Sequence, residues 1–201
     1  MTSPNCRLFL VAPGDGDSAR LEACLSAAMA AGDIASLLIS AGAHARNIAD
    51  ALTPVAQDGD VAVLIESDIA LAMEVDADGV EVTGGLSLYH DARAALGKAR
   101  IVGADANADR HRAMEMAEAG ADYVRIDIFA DGPGDQPLGQ WWAELFEVPC
   151  VSRAPLSTEQ IVQAVRDGVD FVRPADELWL SPDKAASIVA DAMAAIGSAQ
   201  V

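Results

Sequence analysis

Around position 125 the chain alternates two kinds of side chain: Tyr123, Arg125 and Asp127 fall on one parity, Val124, Ile126 and Ile128 on the other. Successive side chains of an extended strand point to opposite faces, so the polar set shares one face and the apolar set the other. Arg153 directly follows one later β-type run and Arg173 closes another, and Glu66, Glu81 and Asp105 lie at or near the ends of three earlier ones. Guanidinium groups grip carboxylates through paired hydrogen bonds, while carboxylates hold amines or divalent cations. If one end of a fold gathers these residues, an arginine half faces an acidic half. Two readings are open. In one, the charges pair with each other and plug the fold's interior. In the other, they form a site for a zwitterion, the arginines taking a carboxylate and the acids an amine or metal.

Other reactive residue types are sparse. His44 opens a helical run, and His90 and His111 fall inside two others, where they read as solvent-facing or capping groups. No Ser–His–Asp or Cys–His set can be assembled. The two lysines, Lys98 and Lys184, lie in or beside helical runs, which excludes a Schiff-base role by position. Glu66, Glu81 and Asp105 could bind a cation through oxygen, but no local ligand spacing supports it. Cys150 reads as a small packed hydrophobe. The Trp141–Trp142 pair reads as one indole filling a gap under the 130–139 loop, with an exposed patch for self-association as the alternative.

The elements that must position these residues alternate from end to end. β-type runs are predicted at 7–11, 34–40, 61–66, 79–82, 100–104, 123–128, 149–152 and 169–173. Helices are predicted at 18–31, 44–57, 68–75, 87–96, 108–119, 138–146, 157–167 and 181–196. Ser18, Ser87, Ser157 and Ser181 suit N-caps, Pro182 a first helical position, and Gly97 a helix stop. Eight strands alternating with eight helices imply an α/β fold, a (β/α)8 TIM barrel formed by residues 1–201 as one domain. A doubly wound open sheet is the runner-up, disfavoured because no Gly-rich turn follows any strand. Ala77-Asp78-Gly79-Val80, Ala121-Asp122-Tyr123-Val124 and Val169-Asp170-Phe171-Val172 echo one another at helix-to-strand junctions, where they read as stabilising turns on the bottom face. The tail after Ile196 is expected to fray.

Composition narrows the function classes. The chain has 201 residues and a formal net charge of −18, which disfavours nucleic acid as a partner. The acidity serves solubility on the plain reading and attracts a basic protein on the sharper one. No apolar run reaches the roughly 18 residues of a membrane span. Met1–Cys6 lacks the basic-then-apolar pattern of a signal peptide, so none is expected. Cys6, Cys24 and Cys150 are widely spaced and odd in number, as in a reduced, cytoplasmic protein.

Residues 63–81 read VLIESDIALAMEVDADGVE, and RIVGADAN, EAGADYV, VPCVSRAPL and DGVDFVRPA follow in order. These stretches resemble, in sequence and spacing, strands three to eight of the thiamine phosphate synthase and thiazole tautomerase family. The resemblance implies a barrel that joins a pyrimidine diphosphate to a thiazole phosphate, releasing pyrophosphate with magnesium. It also implies where phosphate and metal ligands should stand, and there the chain departs. The Gln, Arg, Lys set expected after strand two is replaced by Leu37-Leu38-Ile39-Ser40-Ala41-Gly42. The expected Asn-Asp-Arg is Glu66-Ser67-Asp68, and the second magnesium acid falls at Leu86. The Ser/Thr and His after strand five become Asp105 and Asn107, and the lysine expected just beyond strand six is absent, since Lys98 and Lys184 lie in or beside helices four and eight. The phosphate-binding Gly-Gly is Ala154-Pro155, which removes a backbone donor, and a Ser-Ala pair becomes Asp176-Glu177.

A phosphate oxygen ~4 Å from a misplaced carboxylate meets repulsion of roughly 4 kcal/mol per charge pair. That is about three decades of affinity. The expectation is therefore a barrel of this family that has lost the synthase reaction and acts as a binding or scaffold protein. One alternative is a divergent enzyme on a small zwitterion gripped by Arg125, Arg153 and Arg173. The other is an active synthase, with magnesium as its cofactor. The partner is expected to be a small molecule or a protein, with a homo-oligomer possible.

Overall fold

The computed structural model describes residues 6–199. The strands are β1 (Arg7–Ala12), β2 (Ile34–Ile39), β3 (Ala62–Glu66), β4 (Gly79–Val82), β5 (Ile101–Asn107), β6 (Val124–Ile126), β7 (Cys150–Ser152) and β8 (Phe171–Val172). All pair in parallel and in sequence order, and β8 closes on β1. The helices between them are α1 (Ser18–Ala31), α2 (Ala45–Asp58), α3 (Ile69–Glu74), α4 (Leu86–Leu96), α5 (Arg110–Glu118), α6 (Leu138–Leu145) and α7 (Thr158–Arg166), and α8 (Pro182–Ala199) follows β8. The expected (β/α)8 barrel is present. None of the described helices is long and apolar enough to cross a membrane.

Two apolar layers hold it together. A large aliphatic shell lies between strands and helices, and a smaller cluster of Phe9, Val11, Leu38, Leu64, Tyr123 and Val151 fills the lower barrel interior. Period two then carries the inward face upward: Glu66 follows Leu64, Arg125 follows Tyr123, and Arg153 follows Val151. Gly103 makes room in this interior, because a Cβ there would lie against the Tyr123 ring.

The three echoed junctions have a common physical cause. Asp78 accepts a hydrogen bond from Val63 N (2.7 Å), Asp122 from Val102 N (2.7 Å) and Asp170 from Cys150 N (2.9 Å). Each carboxylate thus satisfies an amide at the start of the preceding strand, where the parallel ladder leaves it short of a partner. Gly97 stops α4 at φ +68°, as expected from its freedom there.

Several local expectations are corrected. Asp17, not Ser18, caps α1 by accepting from Arg20 N, since an acid one residue earlier reaches the same donor. Ser87 lies inside α4, whose N-cap is Gly85 without a side-chain bond. Ser157 forms a full capping box with Gln160, and Ser181 accepts from Lys184 N just before Pro182. The helix expected to fray after Ile196 continues to Ala199, held by apolar residues that include Ile196 at 3% exposure. β6 is shorter than 123–128, because Ala130 N bonds back to Asp127 O and turns the chain. β5 is longer than 100–104. It continues past a register irregularity to Asn107, at φ +59°.

Candidate functional site

The centre of the barrel, above the apolar floor, holds one connected ion network. Arg125 on β6 donates from Nε to both carboxylate oxygens of Glu81 on β4, each at 2.9 Å, and Nη2 lies 2.7 Å from Oε1. Nη2 also reaches Asp105 Oδ2 on β5 at 3.1 Å. Tyr123 donates its hydroxyl to Glu81 Oε2 at 3.0 Å. Asp105 accepts further from Asn107 N at 2.9 Å and from Arg153 Nε at 3.2 Å. Exposure is 0% for Glu81, 6% for Arg125 and 8% for Asp105, so three charged groups are removed from water together. Such burial is tolerable only because opposite charges meet with their hydrogen bonds made.

The other candidates are engaged around this centre. Arg153 keeps 42% of its side chain exposed at the upper edge of the network. Arg173 grips Asp176 through Nη2 at 2.8 and 2.7 Å and donates from Nη1 to Arg153 O at 2.9 Å. Glu66 accepts from Ala41 N at 2.8 Å, binding the end of β3 to the loop after β2. Asp127 is half-buried, and its carboxylate makes no hydrogen bond among the described residues. Asp68, a further candidate at the barrel mouth, caps α3 through Oδ1, which accepts from Leu71 N at 2.9 Å. His44 precedes α2 without capping it, and His90 and His111 are exposed on α4 and α5.

The arginine half and the acidic half therefore meet, instead of facing each other across a gap. The alternation on β6 places Arg125 correctly. It does not reveal that Tyr123 serves Glu81, 42 residues away. The glycine at 103, unusual inside a strand, was the available signal for that ring. Also not foreseen is Trp179, which donates Nε1 to Val11 O at 2.7 Å and pins the 3₁₀ segment Asp176–Leu180 over the end of β1.

Where the family resemblance implies a magnesium-binding acid this chain has Ser67, and its neighbouring acids are partly engaged. The Ser67 hydroxyl is bonded to Thr83 Oγ1 at 2.8 Å and to Thr83 N at 3.0 Å. Glu66, Asp68 and Asp105 already accept backbone amides. Among the described residues no group of three or more His, Cys, Asp or Glu is arranged to hold a metal.

Burial holds the Glu81 carboxyl above the usual glutamate range, although the charge and hydrogen bonds of Arg125 pull it down. Burial, with the Glu81 charge beside it, likewise raises the Tyr123 hydroxyl well above its ordinary value. The folded chain thus keeps a proton on Glu81 at higher pH than the unfolded chain does. The associated stability is complete below the ordinary value of 4.5 and is lost as pH rises through the raised value. Asp167 and Asp170, raised chiefly by burial, act in the same direction. Asp33 and Glu159 are held low, so their opposing effect lies at more acidic pH. Thermal midpoints should therefore fall as pH is raised above the ordinary glutamate value of 4.5, and Glu81→Gln should flatten that slope. An unchanged slope in Glu81→Gln would assign the effect to other groups.

The family model described as thiamine monophosphate synthase matches residues 8–174. A thiamine-phosphate synthase of Erythrobacter litoralis is 34% identical over 152 residues, covering 71% of each chain. One of Rhodospirillum centenum is 32% identical over 198 residues, covering 93% of this chain and 96% of the relative. Among solved structures, the thiamine phosphate pyrophosphorylase of Pyrococcus furiosus shares the fold, with a TM-score of 0.76 at 15% identity and 98% of each chain covered.

Proposed function

Because the chain belongs to the thiamine monophosphate synthase family, we propose that it is a binding or scaffold member in which an internal ion network has displaced the synthase reaction. The observation that carries this reading is Arg125, buried and paired with Glu81 and Asp105 at the barrel centre. Charge that would have to stabilise a departing pyrophosphate is already spent on carboxylates. Asp176 and Glu177 place negative charge where the family resemblance implies a phosphate grip.

An active synthase is the second reading, and the identity to proteins named thiamine-phosphate synthases over most of the chain favours it. It would need phosphate held by groups other than those of the family pattern. The zwitterion-enzyme reading has less support, because Arg125 and Arg173 are both committed to carboxylates. A reducing, cytoplasmic setting agrees with three free, buried cysteines, two of them with thiols pushed up to about 12 by burial.

Incubation with the pyrimidine diphosphate, the thiazole phosphate and magnesium, followed by pyrophosphate release, separates the two main readings. The binding-protein reading expects no release above the protein-free background, with the Rhodospirillum centenum protein as the positive control. Magnesium-dependent turnover would establish the synthase reading instead.

A further inference from the structure

Between the loop after β7 and the 3₁₀ segment Asp176–Leu180 lies an open groove of about 590 Å³ on the top face. Pro155, Leu156, Ala175 and Leu180 form its apolar part, and Asp176 and Glu177 lie on its rim. Leu180 is 60% exposed, one of three large hydrophobic side chains so exposed among the described residues. A leucine held in water costs free energy that a partner's apolar group would recover.

The walls of the groove are tied to the barrel. Trp179, next to Leu180, is anchored to Val11 O, and Leu156 N donates to Arg173 O at 2.9 Å. Ser157 and Gln160 close the capping box on the opposite wall. A preformed surface binds without first having to be ordered.

Its charge selects the partner. Arg173 offsets Asp176, whereas Glu177 makes no hydrogen bond or ion pair among the described residues. No lysine or arginine lines the groove, and the chain as a whole carries a formal charge of −18. In barrels the loops after strands seven and eight commonly hold phosphate. Here Pro155 lacks the amide donor and the rim is acidic, so the polarity of the site is reversed.

The geometry points to this groove as the docking site for a basic, amphipathic protein segment that seats an apolar side chain against Leu180 and Leu156 and a lysine or arginine against Glu177. This rests on the binding-protein reading, and the pyrophosphate assay tests that reading separately.

The probe is a fluorescent peptide of alternating leucine and lysine, titrated into the whole protein near physiological salt. Leu180→Asn and Glu177→Lys should each weaken binding by about tenfold. Leu145→Asn at the exposed end of α6 and Glu22→Lys on the exposed face of α1 should leave it unchanged. Replacing the peptide's leucines by serine at constant charge should also abolish binding. Equal losses in Glu177→Lys and Glu22→Lys, with none in Leu180→Asn, would reduce the effect to bulk charge attraction and overturn the proposal. Concentration-dependent self-association abolished by Leu180→Asn would overturn it too, by assigning the groove to a second copy of the chain.

Discussion

Replacing Arg125 with alanine lowers the stability of the barrel by about 3–5 kcal/mol, the usual cost of stranding a buried charge. Glu81, fully buried, keeps only the Tyr123 hydroxyl, while Asp105 retains Arg153 and Asn107 N. For a domain of this size the loss corresponds to a fall of roughly 6–20 °C in thermal midpoint. The double variant Arg125→Met/Glu81→Met should recover most of it, because a packed apolar pair needs no compensating charge. Urea unfolding of the two variants beside the parent checks both statements. A ligand-gripping Arg125 gives the opposite result, since removing functional charge commonly leaves stability unchanged or improves it.

The tryptophan pair gives the second large effect. Trp142 is fully buried, donates Nε1 to Val148 O at 2.7 Å and stacks on Phe146 with ring centroids 4.0 Å apart. Trp142→Ala should cost about 3–5 kcal/mol through the cavity it leaves, and it also orphans a carbonyl. Trp141 is only partly buried, edge-on to Phe146, with the Arg110 guanidinium 5.7 Å from its ring centroid. Trp141→Ala should cost no more than about 1 kcal/mol, the scale of an exposed cation–π contact. Chemical denaturation distinguishes the two. Comparable losses would mean that the helix α6 face, not one indole, carries the packing.

The sequence made the fold legible because its evidence is local and repeated. Short β-branched runs, Ala-rich helical runs and the aspartates at 78, 122 and 170 recur in the order a barrel requires. Period two on β6 also sufficed to send Arg125 inward. What it could not supply was partner choice across strands. The Arg125–Glu81 pair joins residues 44 apart, and the Trp179–Val11 bond joins residues 168 apart. Such pairings depend on barrel closure, which has no local signature, and on the space left by Gly103, whose place inside a strand is a signal that names no partner. Asp68 shows the converse. A carboxylate in the right loop was claimed by the nearest amide of α3, because a helix end competes for any acceptor beside it.

At the family's active-site positions this chain departs from the residue pattern that the resemblance implies. Descent is plain from the match over residues 8–174. Chemistry depends on a handful of side chains at the strand ends, and function follows the site and not the barrel. Glu66, Asp105 and Arg153 all lie at the strand ends where a barrel site would be, and each already serves another group of the chain.

The most direct measurement of the central claim is a calorimetric titration of the intact protein with thiazole phosphate, with the pyrimidine diphosphate, and with both in the presence of magnesium. A barrel plugged by Glu81, Arg125 and Asp105 gives no binding heat up to millimolar ligand. Micromolar binding would contradict the account and show that phosphate is held at the mouth despite the paired charges.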